Sequence, residues 1–378
     1  MQTSDLDRDV LRRLAELRPG HHVLSLFVNL DPSEFATPQA RSTQFRSLLD
    51  ATEKRVKALG ELDHDEVKGL RADIARAESF FNDEFSADGA HGLAIYLSEP
   101  ADLFEVIRLP RPVDPQVFID DSPLIEPLAD LVSTSSWCVL LVGRRSARLL
   151  RGSREELHEV PGFSEAATAS PDEGSTSRGQ HAVDADAKGH LKIAADELLR
   201  RTKRHPCDRL LVGSTSELYG EVQAALHSYL KERLVGHIDV DVENSSPHAV
   251  LAAALPTIEG EDQRREREAL DRLAEGVGTG GRGVAGLDET LAALNEQRVE
   301  VLLMQPHFRA PGVVCQSCGW VGAGEMSACP VDSGALDKRE DVIESALELA
   351  LAQSAEILVV HHHDDLIARG KIGAVLRF

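Results

Sequence analysis

Apolar positions in this chain recur in two rhythms, every second residue in short runs and every third or fourth in longer ones, and the changes between them predict the elements. The spacing predicts a helix near Leu6 to Leu17, a strand over His22 to Leu30 and charged helices across roughly Gln39 to Phe85. His91 to Ser98 and Leu103 to Leu109 read as a β pair around Glu99-Pro100-Ala101-Asp102. A Pro-rich stretch, Pro110 to Pro115, then leads toward a boundary near Pro123 to Ser136.

Beyond that boundary, Trp137 to Gly143 and Ala147 to Arg151 predict two strands joined by Arg144-Arg145-Ser146, with a third at Glu156 to Val160. A long polar loop, about Pro161 to Ala187, precedes a helix Lys188 to Lys203, a strand Arg209 to Gly213, a helix Glu217 to Arg233 and a strand His237 to Val242. Such alternation predicts a mostly parallel sheet covered by helices. Pro247 to about Glu275 suits a long helix ending at the Gly-rich stretch Gly276 to Gly283, read as a hinge because glycine frees the backbone. The last region runs helix Leu287 to Glu296, strand Val299 to Met304, a cysteine-bearing insertion, helix Asp341 to Gln353, strand Glu356 to His362 and strand Ile372 to Phe378.

The fold class expected is therefore α/β, with three domains whose mixed or mostly parallel sheets are covered by helices. The divisions are residues 1–130, 131–262 and 286–378, with a helix end and hinge at 263–285 and a small zinc-ribbon-like insertion at 307–337. Length supports the count, since 378 residues exceed one ordinary core.

Composition narrows the function. Apolar residues make up 42% and charged residues 28%, with only short apolar runs, so a membrane span is not expected. Asp5, Asp7 and Asp9 stand where a secretory signal needs positive charge, which points to the cytoplasm. A net charge of −22 disfavours binding nucleic acid over the whole surface, so any RNA contact must be local. The candidate patches are Arg144, Arg145 and Arg148 with Arg151 and Arg154, then Arg200, Arg201, Lys203 and Arg204 with Arg209, although solvated faces remain the simpler account of both.

Three of five cysteines crowd together, which suggests metal chemistry rather than disulfides, while Cys138 and Cys207 lie in apolar segments as inert buried thiols. Cys315-Gln316-Ser317-Cys318-Gly319 is a knuckle that brings two thiolates to one ion, and Cys329-Pro330-Val331-Asp332 repeats the spacing with Asp332 in place of a fourth cysteine. Three readings stand: structural zinc held by Cys315, Cys318, Cys329 and Asp332, zinc completed by a group such as His307, or a knuckle without metal. His361, His362 and His363 end an apolar strand, whose alternation sends neighbours to opposite faces and so argues against a shared ion. The glycine stretch lacks the strand before it and the Gly-Lys-Ser/Thr after it that a phosphate loop needs, and no nucleophile elbow or zincin motif occurs.

Gly286-Leu287-Asp288-Glu289-Thr290-Leu291-Ala292-Ala293-Leu294, followed by Val299-Glu300-Val301-Leu302-Leu303, resembles the opening of the third domain of archaeal and eukaryotic class-1 release factors. The ending Gly370-Lys371-Ile372-Gly373-Ala374-Val375-Leu376-Arg377-Phe378 resembles that family's terminus, and the cysteine insertion falls where relatives carry a minidomain that sometimes binds zinc. The order of elements across Trp137 to Val242 is similar to the family's middle domain, so the resemblance spans roughly two thirds of the chain. The first third resembles the variable N-terminal domain of bacterial members, including hibernation factors, and carries no Asn-Ile-Lys-Ser stop-codon motif. Where true release factors place Gly-Gly-Gln, this chain has Arg178-Gly179-Gln180, and arginine at the first glycine restricts the backbone.

The resemblance implies a ribosome-associated translation factor that occupies the A site in hibernation or rescue without reading stop codons, binding rRNA and tRNA rather than catalysing. It also implies elongation factor Tu or a related GTPase as a partner. Two alternatives remain: a peptidyl-tRNA hydrolase in ribosome rescue with Gln180 and Gly179 in the water-positioning role, and a stress-response adaptor of the same fold that never touches ribosomes.

Overall fold

A computed structural model describes residues 2–6, 8–31, 33–35, 37–59, 62–86, 90–133, 135–168 and 180–378. The chain forms two compact units, one of Thr134–Arg265 and one that joins Met1–Ser133 to Glu266–Phe378.

The split unit opens with β1 (Gln2–Asp5), α1 (Arg8–Glu16), β2 (Val23–Asn29), α2 (Pro38–Ala58), α3 (His64–Ser79), β3 (Gly92–Ser98), β4 (Leu103–Leu109), β5 (Gln116–Asp120) and α4 (Glu126–Ser133). The strands make one sheet in the order β1-β4-β3-β2-β5, antiparallel except where β1 meets β4. Alternation along β2 sends Leu24, Leu26 and Val28 toward Phe45, Leu48, Leu70 and Ile74 of α2 and α3, and Val23 and Phe27 toward α1 and α4. Both covering helices start on local signals. Thr37 caps α2 ahead of Pro38, and Asp63 with Glu66 forms a capping box on α3.

The stretch read as a domain boundary contains α4, whose Leu128 and Ala129 are core residues, as is Ile125 just before it. Proline and serine punctuation around so short a helix resembles a linker, although the apolar spacing is helical. The missing cap comes from far along the chain: Ile125 N (2.6 Å) and Glu126 N (3.0 Å) donate to the carboxylate of Glu344. Burial pushes the Glu344 carboxyl well above its ordinary range.

The middle unit contains β6 (Trp137–Val142), β7 (Ala147–Gly152), β8 (Leu157–Glu159), α5 (Phe163–Thr168), α6 (Gln180–Arg204), β9 (Arg209–Gly213), α7 (Ser216–Ala225), α8 (Ser228–Lys231) and β10 (Leu234–Ile238), then the start of α9 (Pro247–Gly278). Strand order is β10-β9-β6-β7-β8, parallel over the first three and antiparallel over the rest, so the sheet is mixed. Leu191, Ala194 and Leu198 of α6 cover one face, and Val250, Ala254 and Ile258 of α9 the other.

Three expectations change here. The polar loop holds α5, and α6 begins at Gln180 rather than Lys188; alanine and aspartate between them give little apolar rhythm to read. The helix expected over Glu217 to Arg233 breaks into α7 and α8, because Leu226 and His227 are extended and the His227 Nδ1 caps α8 at Tyr229 N, 3.2 Å away. The last strand is shifted toward the amino terminus, ending at Ile238 instead of Val242, since its parallel register is set by Leu234 beside Leu210.

The split unit resumes with the end of α9, then β11 (Gly283–Ala285), α10 (Leu287–Asn295), β12 (Val299–Met304), β13 (Gly312–Cys315), β14 (Val321–Ala323), β15 (Leu336–Arg339), α11 (Ile343–Ala352), β16 (Glu356–Val359) and β17 (Ile372–Leu376). The main sheet has the order β11-β17-β12-β16, with β12 and β16 parallel, and β14-β13-β15 forms the small antiparallel sheet of the insertion. Leu291 and Leu294 of α10 and Ile343 and Leu347 of α11 lie in the same hydrophobic cluster as Phe27 and Tyr96, so the first and last segments share one core. The fold is thus α/β with mixed sheets, and the cysteine cluster of the insertion fits a zinc-ribbon-like site.

The glycine stretch read as a hinge is tightly packed at both ends. A Cβ on Gly276 would stand 2.5 Å from the Gly283 nitrogen, and one on Gly283 would stand 2.7 Å from the Leu273 carbonyl oxygen. Close approach between the end of α9 and the start of β11, rather than rotational freedom, is what requires those glycines.

Candidate functional site

The cysteine knuckles are built from two tight turns. In the first, Gly319 N donates to Cys315 O (3.0 Å) and Cys315 N to Trp320 O (2.8 Å), with Gly319 at φ +73°. In the second, Cys329 N donates to Gly334 O (3.0 Å), and Ser333, at φ +60°, donates to Cys329 O (2.9 Å). These turns bring one donor atom from each of Cys315, Cys318, Cys329 and Asp332 within 4.8 Å of one another. Cys318 Sγ and Cys329 Sγ are 3.6 Å apart, and Cys315 Sγ and Asp332 Oδ1 are 3.5 Å apart.

Around a tetrahedral zinc with Zn–S of about 2.3 Å, neighbouring sulfurs stand about 3.8 Å apart and a sulfur and a carboxylate oxygen about 3.5 Å apart. Those two spacings match that geometry, and all four donor atoms lie close enough together to hold one ion. The Cys318 backbone N–H holds the Cys315 thiol below its ordinary value, and the Gly334 N–H, 2.8 Å from Asp332 Oδ1, does the same for the Asp332 carboxyl. His307, the other ligand considered from the sequence, is not part of this group and lines a separate cavity instead.

The two basic patches lie at opposite ends of the middle unit. Arg144 and Arg145 occupy the turn after β6, at its carboxyl end, whereas Lys203 and Arg204 end α6 just before β9 begins. Because β6 and β9 are parallel, about 17 Å of strand separates the two groups. All four side chains are exposed. The remaining candidates are engaged within the chain. Arg148 forms a bidentate pair with Glu159 (2.9 and 2.6 Å) and reaches the Ser245 carbonyl (2.9 Å), while Arg200 and Arg201 both pair with Glu197.

Gln180 is the first residue of α6, and three helical turns precede Leu191, the first residue of that helix in the core. Gly179 lies outside the described residues. Cys138 and Cys207 are buried, as expected for inert thiols.

The histidine run is placed by carboxylates that the sequence did not reveal. Strand β16 stops at Val359, so the histidines sit in the following loop. There His361 Nε2 meets Asp130 (2.6 Å), His362 Nδ1 meets Glu266 (2.8 Å) and His363 Nδ1 meets Arg267 (2.8 Å). These partners lie up to 231 residues away, too far for local patterning to signal.

Comparison with known proteins adds a family. Residues 123–259 match the model of bacterial archaeo-eukaryotic release factor family 10, a span that begins just before α4 and ends within α9. Over those residues the chain is release-factor-like. Among solved structures, the chain is similar to an archaeal translation termination factor aRF1 at 16% identity, covering 99% of each chain with a TM-score of 0.26. It is also similar to Archaeoglobus fulgidus Pelota, at 16% identity over 76% of this chain and 79% of that one, with a TM-score of 0.31. A third is archaeal Pelota from a ribosome-bound assembly with ABCE1, at 15% identity over 73% and 72%, with a TM-score of 0.43. Curated protein sequences give no match. Among the described residues, no helix is long and apolar enough to cross a membrane.

Proposed function

We propose that this release-factor-like chain is a translation factor that binds the ribosomal A site in hibernation or rescue, makes its RNA contacts through the middle unit and reads no stop codon. The observation that carries this reading is the family match over the middle unit. Charge supports it. The middle unit has 17 basic against 20 acidic residues, whereas the rest has 24 against 43, so nearly all of the net −22 lies outside the unit assigned to RNA. Arg144 and Arg145 are the proposed phosphate contacts, with Lys203 and Arg204 as a second, separate point. Zinc bound by Cys315, Cys318, Cys329 and Asp332 would lock the two knuckles of the insertion in a structural role. Elongation factor Tu or a related GTPase is the proposed partner on family resemblance alone.

Co-sedimentation with intact ribosomes across a salt series tests the reading, because phosphate contacts weaken steeply as salt rises. Arg144→Ala combined with Arg145→Ala should lower the slope of log affinity against log salt by about 2. No binding at low salt, with or without the GTPase, would leave the adaptor reading. The hydrolase alternative draws on Arg178-Gly179-Gln180, which stands where the family places Gly-Gly-Gln, with Gln180 as the first residue of α6. Peptidyl-tRNA turnover lost on Gln180→Ala would establish it, and no turnover by the unaltered chain would remove it.

A further inference from the structure

Strands β12 and β16 run parallel and end side by side, with Met304 paired to Val359. The carboxyl ends of parallel strands are where open α/β sheets most often hold ligands. A cavity of about 350 Å³ opens there, with Met304 and Val359 on its floor, Glu126 and Asp130 on the α4 wall, and His307 and Arg309 at its mouth. That volume is at the lower end of small-molecule pockets.

The polar groups around it are unequal. Asp130 is committed to His361 Nε2 at 2.6 Å and to Arg111, whose Nη2 lies 3.5 Å from the carboxylate. Glu126 is different: its backbone N–H is held by Glu344, but its carboxylate accepts no hydrogen bond among the described residues. Burial raises the Glu126 carboxyl against the pull of Arg309 and His307, so the group is partly desolvated and lacks a close partner. His307 has φ +55°, a conformation that β-carbon-bearing residues adopt at a cost and that concentrates at binding sites. The segment bearing it is pinned at Gln305, whose side chain donates to His363 O at 3.0 Å and whose N–H donates to Lys371 O at 2.9 Å.

We infer that this cavity binds a small molecule carrying an anionic group and, a few bonds away, a hydrogen-bearing nitrogen, the anion meeting Arg309 and His307 and the nitrogen meeting Glu126. A protonated nitrogen would supply the counter-charge that Glu126 lacks and let its carboxylate ionise inside the cavity. Free amino acids and amino-bearing nucleoside monophosphates share this chemistry and are of a size for the space. The inference does not depend on ribosome binding, since the cavity belongs to the split unit rather than to the unit assigned to RNA.

The test titrates the full chain, labelled at the methionine methyls, with each amino acid and each nucleoside monophosphate up to about 10 mM, a range that reaches weak binding. The chain has three methionines, and they provide an internal control. Met304 lies on the cavity floor, whereas Met326 is exposed on the cysteine insertion. Saturable movement of the Met304 methyl with Met326 unmoved supports the inference, and the panel that produces it identifies the source of the ligand. Glu126→Gln and Arg309→Gln should each weaken that binding about tenfold, the loss of one charge-assisted contact, with the ligand-free signal of the buried Met304 reporting that the variants fold. No saturable response from either panel, or binding unchanged in both variants, would overturn it.

Discussion

Removing the Glu266 carboxylate should be among the most damaging single changes to the split unit. Glu266 is buried on α9 and accepts three hydrogen bonds from the histidine loop: His361 N at 3.2 Å, His362 N at 2.8 Å and His362 Nδ1 at 2.8 Å. Glu266→Ala strips a charged acceptor from two backbone N–H groups that no β16 partner satisfies. A hydrogen bond to a charged group contributes about 1.5–3 kcal/mol, and because both histidines are exposed, water recovers part of the loss. A total near 3 kcal/mol is expected. In a unit of about 250 residues, each kcal/mol lowers Tm by about 2–4 °C, so the transition should fall by about 6–12 °C. Glu266→Gln keeps one acceptor oxygen and should lose about half as much. Scanning calorimetry of the three proteins at neutral pH reads this directly. A shift below about 1 °C for the alanine variant would show that water replaces the carboxylate fully and that the loop does not depend on α9.

The glycine stretch gives a paired prediction. Gly276→Ala meets backbone atoms at 2.5 Å and should destabilise by about 2 kcal/mol or more, whereas Gly278→Ala, with open space around it, should be neutral or stabilise by up to about 1 kcal/mol, as urea titration would read. The hydrogen bond from His361 to Asp130 raises the imidazole above its ordinary value of 6.5, so its contribution is complete below that value and fades as pH rises through the raised one. Asp130→Asn should flatten stability across that window and return the His361 titration, followed by NMR, toward 6.5; an unchanged titration would refute the pairing. Protein purified with zinc available should carry one ion, Cys329→Ser should lose it, and Asp332→Cys should hold it more tightly, all by elemental analysis.

Legibility followed the range of the interactions. Continuous apolar runs such as Val23 to Val28 and Trp137 to Val142 announced central strands, because both of their faces are covered by helices. The knuckle spacing announced Cys315, Cys318, Cys329 and Asp332, since a local turn alone brings each pair together. What stayed hidden depends on partners distant in sequence. Helix α4 is a helix because Glu344 caps it, and the histidine loop is held by Asp130 and Glu266. The pairing of Arg148 with Glu159 across the β7–β8 pair was hidden in the same way, since no local pattern signals it. The break at Leu226-His227 was masked by a helical apolar spacing that continues through both α7 and α8.

The shared core of the first and last segments constrains how the chain emerges during its own synthesis. Phe27 and Tyr96 need Leu291, Ile343 and Leu347 to complete the cluster they belong to, and the whole middle unit is made in between. At about 5–20 residues per second, roughly 12 to 50 seconds pass between the synthesis of residue 133 and that of residue 378. Through that interval the N-terminal sheet has only its α2 and α3 face fully covered, while the middle unit, once made, holds everything its two cores contain. The segment that follows the middle unit closes the segment that precedes it, so a nascent chain stalled after the middle unit would display an open apolar face to chaperones and proteases.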